Sequence, residues 1–218
     1  MEVKIRAKRT TKVNLVLVGM TGTGKSACGN TILGEKYFTS KSSSKPVTTE
    51  CQWAEKELEH TLCCVIDTPD IFNDDTESSV RDKHVKKCKK LCDSGFCVYL
   101  LVVQAGRFTA GERDVLTKLE KAFGSRVKEQ TIILFTHGDG LDRAGMSLND
   151  FLHSCQPQLL KMLQKCGYRC VLFENRSSTP YGVQDLMMTV DNMLKGKNVG
   201  AYIKSYQESA AKACEVQA

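Results

Sequence analysis

No part of this sequence is apolar for long. The longest run, Phe96 to Val103, falls well short of the ~20 residues that a bilayer-spanning helix needs. The start carries no basic patch followed by an apolar segment and a small-residue cleavage site, so an export leader is not expected. Position 2 is Glu2 rather than glycine, which removes a myristoylation signal, and Cys214 stands one place too far upstream for prenylation. A membrane anchor is expected only outside this sequence. Basic and aromatic residues do not interleave, so nucleic acid is not an expected partner. No segment repeats internally.

What remains is ordinary globular composition over 218 residues, 41% hydrophobic and 26% charged, enough to bury a full core. Eleven cysteines in a chain with no export signal read as reduced thiols, which points to a cytoplasmic protein. The net charge is +6, with lysine and arginine crowded at Lys4, Arg6, Lys8, Arg9 and Lys12 and again along Arg81 to Lys90. That excess permits an anionic partner without requiring one. His84, Cys88 and Cys92 share one helix face, but a fourth metal ligand is missing and the flanking lysines oppose a cation. A solvated basic face is the preferred reading.

After a basic tail, 1–12, the run Val13 to Val18 reads as a central strand covered on both faces. A glycine-rich turn, a helix over 25–34 stopped by Gly34, and a polar, mobile loop over 35–49 follow. Strands are predicted near 50–57, 60–66, 97–103, 131–135 and 170–173, and helices from the acidic residues Asp74, Asp75 and Glu77 to about 93, then over 147–155 and 157–166 and from Pro180 onward. Thr109 and Glu112 form the signature of a capping box before another helix. A weaker amphipathic helix is predicted over 198–214. Alternating strands and helices predict an α/β fold, a mostly parallel doubly wound sheet with helices on both faces and an extra C-terminal helix. The expected units are the tail, a nucleotide-binding domain over 13–195, and a C-terminal segment over 196–218.

Gly19-Met20-Thr21-Gly22-Thr23-Gly24-Lys25-Ser26 matches the P-loop pattern G-x-x-x-x-G-K-S, between a predicted strand and a predicted helix as that pattern requires. Backbone N–H groups from Thr21 to Ala27 would wrap phosphates at a helix N-terminus, Lys25 would bridge the β- and γ-phosphates, and the Ser26 hydroxyl would bind Mg²⁺. Asp67 closes a buried strand as a carboxylate able to hold the same ion. Thr48 or Thr49 would complete it from the polar loop.

The base is read elsewhere. Thr136-His137-Gly138-Asp139 leaves a buried strand in the [N/T]-x-x-D layout, in which a carboxylate accepts from both N1–H and the exocyclic amine of guanine. Adenine offers neither donor, and a site built on such bonds discriminates on the order of 10⁴-fold. An ATP-using phosphotransferase is the competing class, and Asp139 weighs against it. His137 is either a ring laid against the base or a solvent-exposed loop histidine. Asn175, after the last strand, would offer its backbone N–H and side-chain amide to guanine O6. Flexible glycines at 138 and 140 predict modest base affinity, because a loop around Asp139 must be ordered on binding.

These residues, with Ser26 through Gly34, Val47-Thr48, Cys51, Asp67-Thr68-Pro69, Leu101-Val102-Val103 followed by Gly106-Arg107-Phe108-Thr109, Phe135-Thr136-His137 and Asn175-Arg176, resemble the GTPases of immunity-associated proteins. Those are AIG-type G domains related in fold to septins and Toc GTPases. The resemblance covers about residues 10–195. It implies GTP/GDP and Mg²⁺ as ligands, Thr48 in the switch I magnesium role, His137 against the base, and Arg107 where some members supply an arginine across a GTP-dependent dimer. It implies a homodimer or oligomer formed through the nucleotide face, other family members as partners, and a place in the cytoplasm or at the cytosolic face of intracellular membranes.

Fast hydrolysis needs a water-positioning group and a neutralising charge, the latter worth on the order of 10³–10⁵-fold when an arginine supplies it. Where many GTPases carry Asp-x-x-Gly-Gln, this chain has Asp67-Thr68-Pro69-Asp70-Ile71, with Asp70 able to repel a γ-phosphate. Slow intrinsic turnover is expected. Arg107 either rescues it in trans or simply shapes a strand-to-helix loop. The reading is therefore a switch protein, whose 36–49 and 70–80 segments order around γ-phosphate and Mg²⁺, with a dimerisation-activated GTP hydrolase as the alternative.

Overall fold

A strand that is apolar on both sides has to be covered on both sides, and β1 (Thr11–Val18) meets that demand at the centre of the molecule. The computed structural model describes residues 11–40, 47–58, 60–73, 75–92, 94–176 and 181–196. After β1 come α1 (Lys25–Leu33), β2 (Gln52–Leu58), β3 (Thr61–Asp67), α2 (Ser78–Leu91), β4 (Phe96–Gln104) and α3 (Ala110–Phe123). A 3-10 turn at Ser125–Gln130 leads to β5 (Thr131–Thr136), α4 (Gly138–Arg143), α5 (Leu148–His153), α6 (Pro157–Lys165), β6 (Cys170–Leu172) and α7 (Val183–Leu194). The sheet runs β2-β3-β1-β4-β5-β6, and each neighbouring pair is parallel except β2 with β3.

The strand period of two divides the core. Val16 and Val18 of β1, Leu101 and Val103 of β4, and Ile133 and Phe135 of β5 pack with Cys88, Val115, Leu119 and Met162 from α2, α3 and α6. The alternate residues Leu15, Leu17, Leu100, Leu134 and Phe173 pack with Ile32 and Leu33 of α1 and with Leu186 and Val190 of α7. Helices thus lie on both faces, as the strand and helix patterns predict. The lysines of α2 are exposed while Val85 and Cys88 are buried, so the basic run is a solvated helix face. The ten described cysteines are all free.

Several expected boundaries move. β1 takes in Thr11 and Lys12, which pair with Thr61 and Leu62, so the basic stretch overlaps the strand. The final described helix begins at Val183 after Gly182, whereas the expected start, Pro180, and the expected helix over 198–214 lie outside the described residues. Glycine 138 and its neighbours form the helix α4 rather than a flexible loop, because Gly138 N–H donates to the Phe173 carbonyl (3.2 Å) and Asp139 pairs with Arg143 one turn on (2.8 Å).

The polar loop is also pinned at its entry. Phe38 is buried against α1, where its ring stands over Gly29 so closely that a Cβ there would meet it at 2.7 Å. The Asn30 side chain holds the same residue from both sides, donating to the Phe38 carbonyl (2.8 Å) and accepting from the Phe38 N–H (2.8 Å). Asn30→Ala therefore leaves two backbone groups without partners, and urea denaturation should record a loss of about 1–3 kcal/mol. A change below about 0.5 kcal/mol would show that the clamp does not anchor the loop.

Candidate functional site

Because β1, β3, β4, β5 and β6 are parallel, their C-terminal ends open on one edge of the sheet, where a doubly wound fold leaves its crevice. A cavity of about 490 Å³ lies there. Thr21, Gly22, Gly24, Lys25, Ser26 and Ala27 line it from the P-loop and α1, and Thr136, His137, Glu174, Asn175 and Arg176 from the exits of β5 and β6; Thr48 and Asp70 line it too.

The P-loop passes close beneath β4. A Cβ on Gly19, at φ +143°, would stand 2.6 Å from the Val102 carbonyl oxygen, so glycine is required. Thr23 is buried and braces the loop instead of lining the cavity. Its hydroxyl donates to the Met20 carbonyl (2.9 Å), and its own carbonyl accepts from the Thr136 hydroxyl (2.8 Å). Lys25 is buried, with Nζ donating to the carbonyls of Gly19 (2.9 Å) and Met20 (3.0 Å). Burial pushes its pKa down against the pull of Asp70 and Asp67. An ammonium held by carbonyl dipoles is poised to gain from an incoming anion.

Beside it three oxygen-bearing side chains converge. Ser26 Oγ donates to Asp67 Oδ2 (2.6 Å), Thr48 Oγ1 donates to the same oxygen (3.2 Å), and the two hydroxyls lie 3.1 Å apart. Asp67 is fully buried and its Oδ1 has no hydrogen-bond partner. Burial raises the Asp67 pKa, opposed by Ser26, Lys25 and Thr48. Two hydroxyls and a carboxylate form a hard donor set suited to Mg²⁺, which keeps water and phosphate in its remaining positions. The orphaned Oδ1 fits such a group. Thr48 joins this cluster, while Thr49 is exposed.

At the other end His137 takes a left-handed backbone, φ 64°, and its Nδ1 lies 3.1 Å from Thr136 Oγ1. Burial, then Arg176, holds its pKa below the ordinary histidine value, so the half-buried ring is neutral at pH 7. Asp139 does not line the cavity. Its Oδ2 pairs with Arg143 (2.8 Å), and its Oδ1 is buried without a partner. Asn175 also departs from expectation. Its Oδ1 accepts from Thr31 Oγ1 (2.7 Å) and its Nδ2 donates to Cys28 Sγ (3.3 Å), so the side-chain amide is tied to α1 by one bond at each atom. Arg107 is exposed and does not line the cavity.

One carboxylate gains a role that the sequence does not signal, and Asp70, expected near a γ-phosphate, gains a bond to the P-loop. Glu174 is buried, accepts the Asp139 N–H (2.9 Å) through Oε2 and the Arg176 N–H through Oε1, and so locks the β5 exit to the β6 exit. No spacing rule marks an acidic residue after a strand as such a clamp. Asp70 accepts the Thr21 N–H of the P-loop (2.6 Å).

A phosphate-binding loop between β1 and α1, with a buried acidic residue closing β3, defines a P-loop NTPase of doubly wound topology. The AIG1 family model matches residues 13–218, and this chain belongs to that family. It is 38% identical over 192 residues to immune-associated nucleotide-binding protein 8 of Arabidopsis thaliana, covering 85% of this chain and 54% of that protein. It is 32% identical over 200 residues to GTPase IMAP family member 8 of Mus musculus, covering 90% of this chain and 28% of that protein. The chain thus spans little more than half the length of the first of these relatives and less of the second. Among solved structures, Toc33 from Arabidopsis thaliana in complex with Mg²⁺ and GMPPNP shares the fold, with a TM-score of 0.60 at 15% identity over 87% of each chain.

Replacing Glu174 by alanine removes the acceptor from two backbone N–H groups at once. The expected loss is about 1–3 kcal/mol in urea denaturation. Glu174→Gln keeps one acceptor oxygen and should lose less.

Proposed function

We propose that residues 13–195 form a guanine-nucleotide-binding switch domain, with the 196–218 segment as an appendage. The observation that carries this reading is the convergence of the P-loop, Ser26 and Thr48 with Thr136, His137 and the Glu174-to-Arg176 loop around one cavity, with Asp67 bonded to both hydroxyls. The triphosphate is held by P-loop amides and Lys25, and Mg²⁺ by Ser26 and Thr48, with Asp67 behind them. His137 packs on the base. Asp139 supplies the carboxylate for guanine N1–H and the exocyclic amine. Its unpartnered Oδ1 supports that role, and so does the exposure of Arg143, since a surface ion pair is worth little and is readily exchanged. The γ-phosphate and Mg²⁺ order the switch segments, and the ordered state assembles through the nucleotide face with a second copy or with another family member.

Turnover by the single chain is slow. Ile71 stands where a water-holding amide would be useful, and its side chain is buried in the core. A second reading, a dimerisation-activated GTP hydrolase, is favoured by Arg107, which is exposed at the exit of β4 and free of its own cavity lining. Among the described residues no helix is long and apolar enough to cross a membrane. The free thiols of the described cysteines fit a cytoplasmic setting.

Calorimetry with Mg²⁺ tests the reading. Guanosine nucleotides should bind and adenosine nucleotides should not, and Asp139→Asn should weaken guanine binding by on the order of 10²-fold or more. Equal affinity for the two bases would overturn it. Phosphate release per molecule should rise with protein concentration and lose that rise in Arg107→Ala if the second reading holds; a flat, slow rate in both proteins leaves the switch.

A further inference from the structure

In the structure, one anion already sits on the P-loop, and the chain itself supplies it. Asp70 Oδ2 accepts the Thr21 N–H at 2.6 Å, and its Oδ1 accepts the Phe72 N–H at 3.1 Å. The backbone that carries it is held in place by its neighbours. On one side Thr68 is fully buried and donates its hydroxyl to the Leu17 carbonyl (2.7 Å). On the other, Ile71 and Phe72 are buried in the core between α2 and α3, and Lys118 Nζ donates to the Phe72 carbonyl (2.9 Å). Asp70 thus reaches the loop from a rigid base.

We infer that Asp70 is a built-in stand-in for a terminal phosphate, which makes this site discriminate against nucleoside triphosphates in favour of diphosphates. The inference rests on the nucleotide-binding reading above and adds a specificity-determining residue to it. Asp70 and the P-loop line the same cavity. The contact takes up an amide that the loop would otherwise offer to phosphate, and it brings a full negative charge beside that position. Lys25 does not cancel it by contact, since Nζ bonds to the carbonyls of Gly19 and Met20. A diphosphate can bind with the Asp70–Thr21 bond in place. A terminal phosphate meets a like charge at close range and must turn the carboxylate out. That movement breaks the bond to the Phe72 N–H or strains it, so displacement of Asp70 also signals to the 70–80 segment.

The position itself is permissive. Asp70 is not among the residues with left-handed backbone, so alanine and asparagine both fit there without strain. The two substitutions separate charge from hydrogen bonding, because asparagine still accepts the Thr21 N–H.

The test is equilibrium binding of GDP and of a non-hydrolysable GTP analogue, each with Mg²⁺, to the wild-type chain, Asp70→Ala and Asp70→Asn, after thermal unfolding has shown both variants folded. The ratio of analogue Kd to GDP Kd should fall on the order of tenfold in both variants, since the lost repulsion is a charge effect. In the wild-type chain, the Thr21 amide should keep its hydrogen-exchange protection with GDP and change environment with the analogue. A ratio that moves less than about twofold in both variants while GDP binds, or a Thr21 amide indifferent to which nucleotide is present, overturns the role of Asp70 alone. Failure of the wild-type chain to bind either nucleotide overturns the guanine-nucleotide reading and this inference with it.

Discussion

The pairing of β1 with β3 in one register sets everything at the mouth of the site. Leu17 lies opposite Asp67, so the acidic side chain arrives beside the first turn of α1, where Ser26 and Thr48 meet it. Side chains alternate across a strand. A slip of one residue would turn Asp67 to the other face and send Ile66 toward the P-loop. The register is held by burial, since both strands are buried on both faces over their C-terminal halves. The cost of burying Asp67 is met only partly by the two hydroxyls and by Lys25, and one of its oxygens is left without a partner. The fold thus holds a charge in place that it does not itself satisfy, which is a state a cation relieves.

The same logic bounds the segments proposed to respond to a ligand. Phe38 is pinned to α1 by Asn30, while Ile71 and Phe72 are sunk beneath α2 and α3. These anchors fix the backbone next to the cavity-lining residues Thr39, Ser40 and Asp70. The entropy of ordering is correspondingly limited, because each residue left to fix costs about 1–2 kcal/mol of backbone freedom. On the proposed reading, anchored ends lower the entropy cost of a two-state response to one phosphate.

Much of this was legible in the sequence because it is local. The apolar strands from Val13 and Thr131, the Gly19-to-Ser26 spacing, the stop at Gly34 and the Thr109–Glu112 capping box are each read from a few consecutive residues, and the structure carries them. The opposite edge of the sheet, with β2 antiparallel to β3, follows from the short connection between them. What stayed hidden depends on residues far apart in the chain. Asn175 faces Thr31 and Cys28 across more than 140 positions, and nothing in its surroundings in sequence says that its amide is tied to α1. Glu174 becomes a clamp only because β5 and β6 are neighbours. The helix α4 was masked by its two glycines, whose weak propensity is overridden by the bonds from Gly138 to Phe173 and from Asp139 to Arg143.

The polar groups in and beside the cavity share one feature: several of them are already engaged by the chain. The Thr21 amide is held by Asp70, one oxygen of Asp139 by Arg143, and the Lys25 ammonium by two carbonyls. Ligand binding at such a site is an exchange of partners, so its free energy is a difference between new bonds and those given up. The exchanges are unequal. Arg143 is mostly exposed and its ion pair costs little to break, whereas Asp70 stands on a buried base and its carboxylate opposes the charge that would replace it. On the proposed reading, the base end should therefore yield easily and the terminal-phosphate end reluctantly. A site built this way separates recognition of the nucleotide from response to its phosphate, because the two are opposed by contacts of different strength at opposite ends of one cleft.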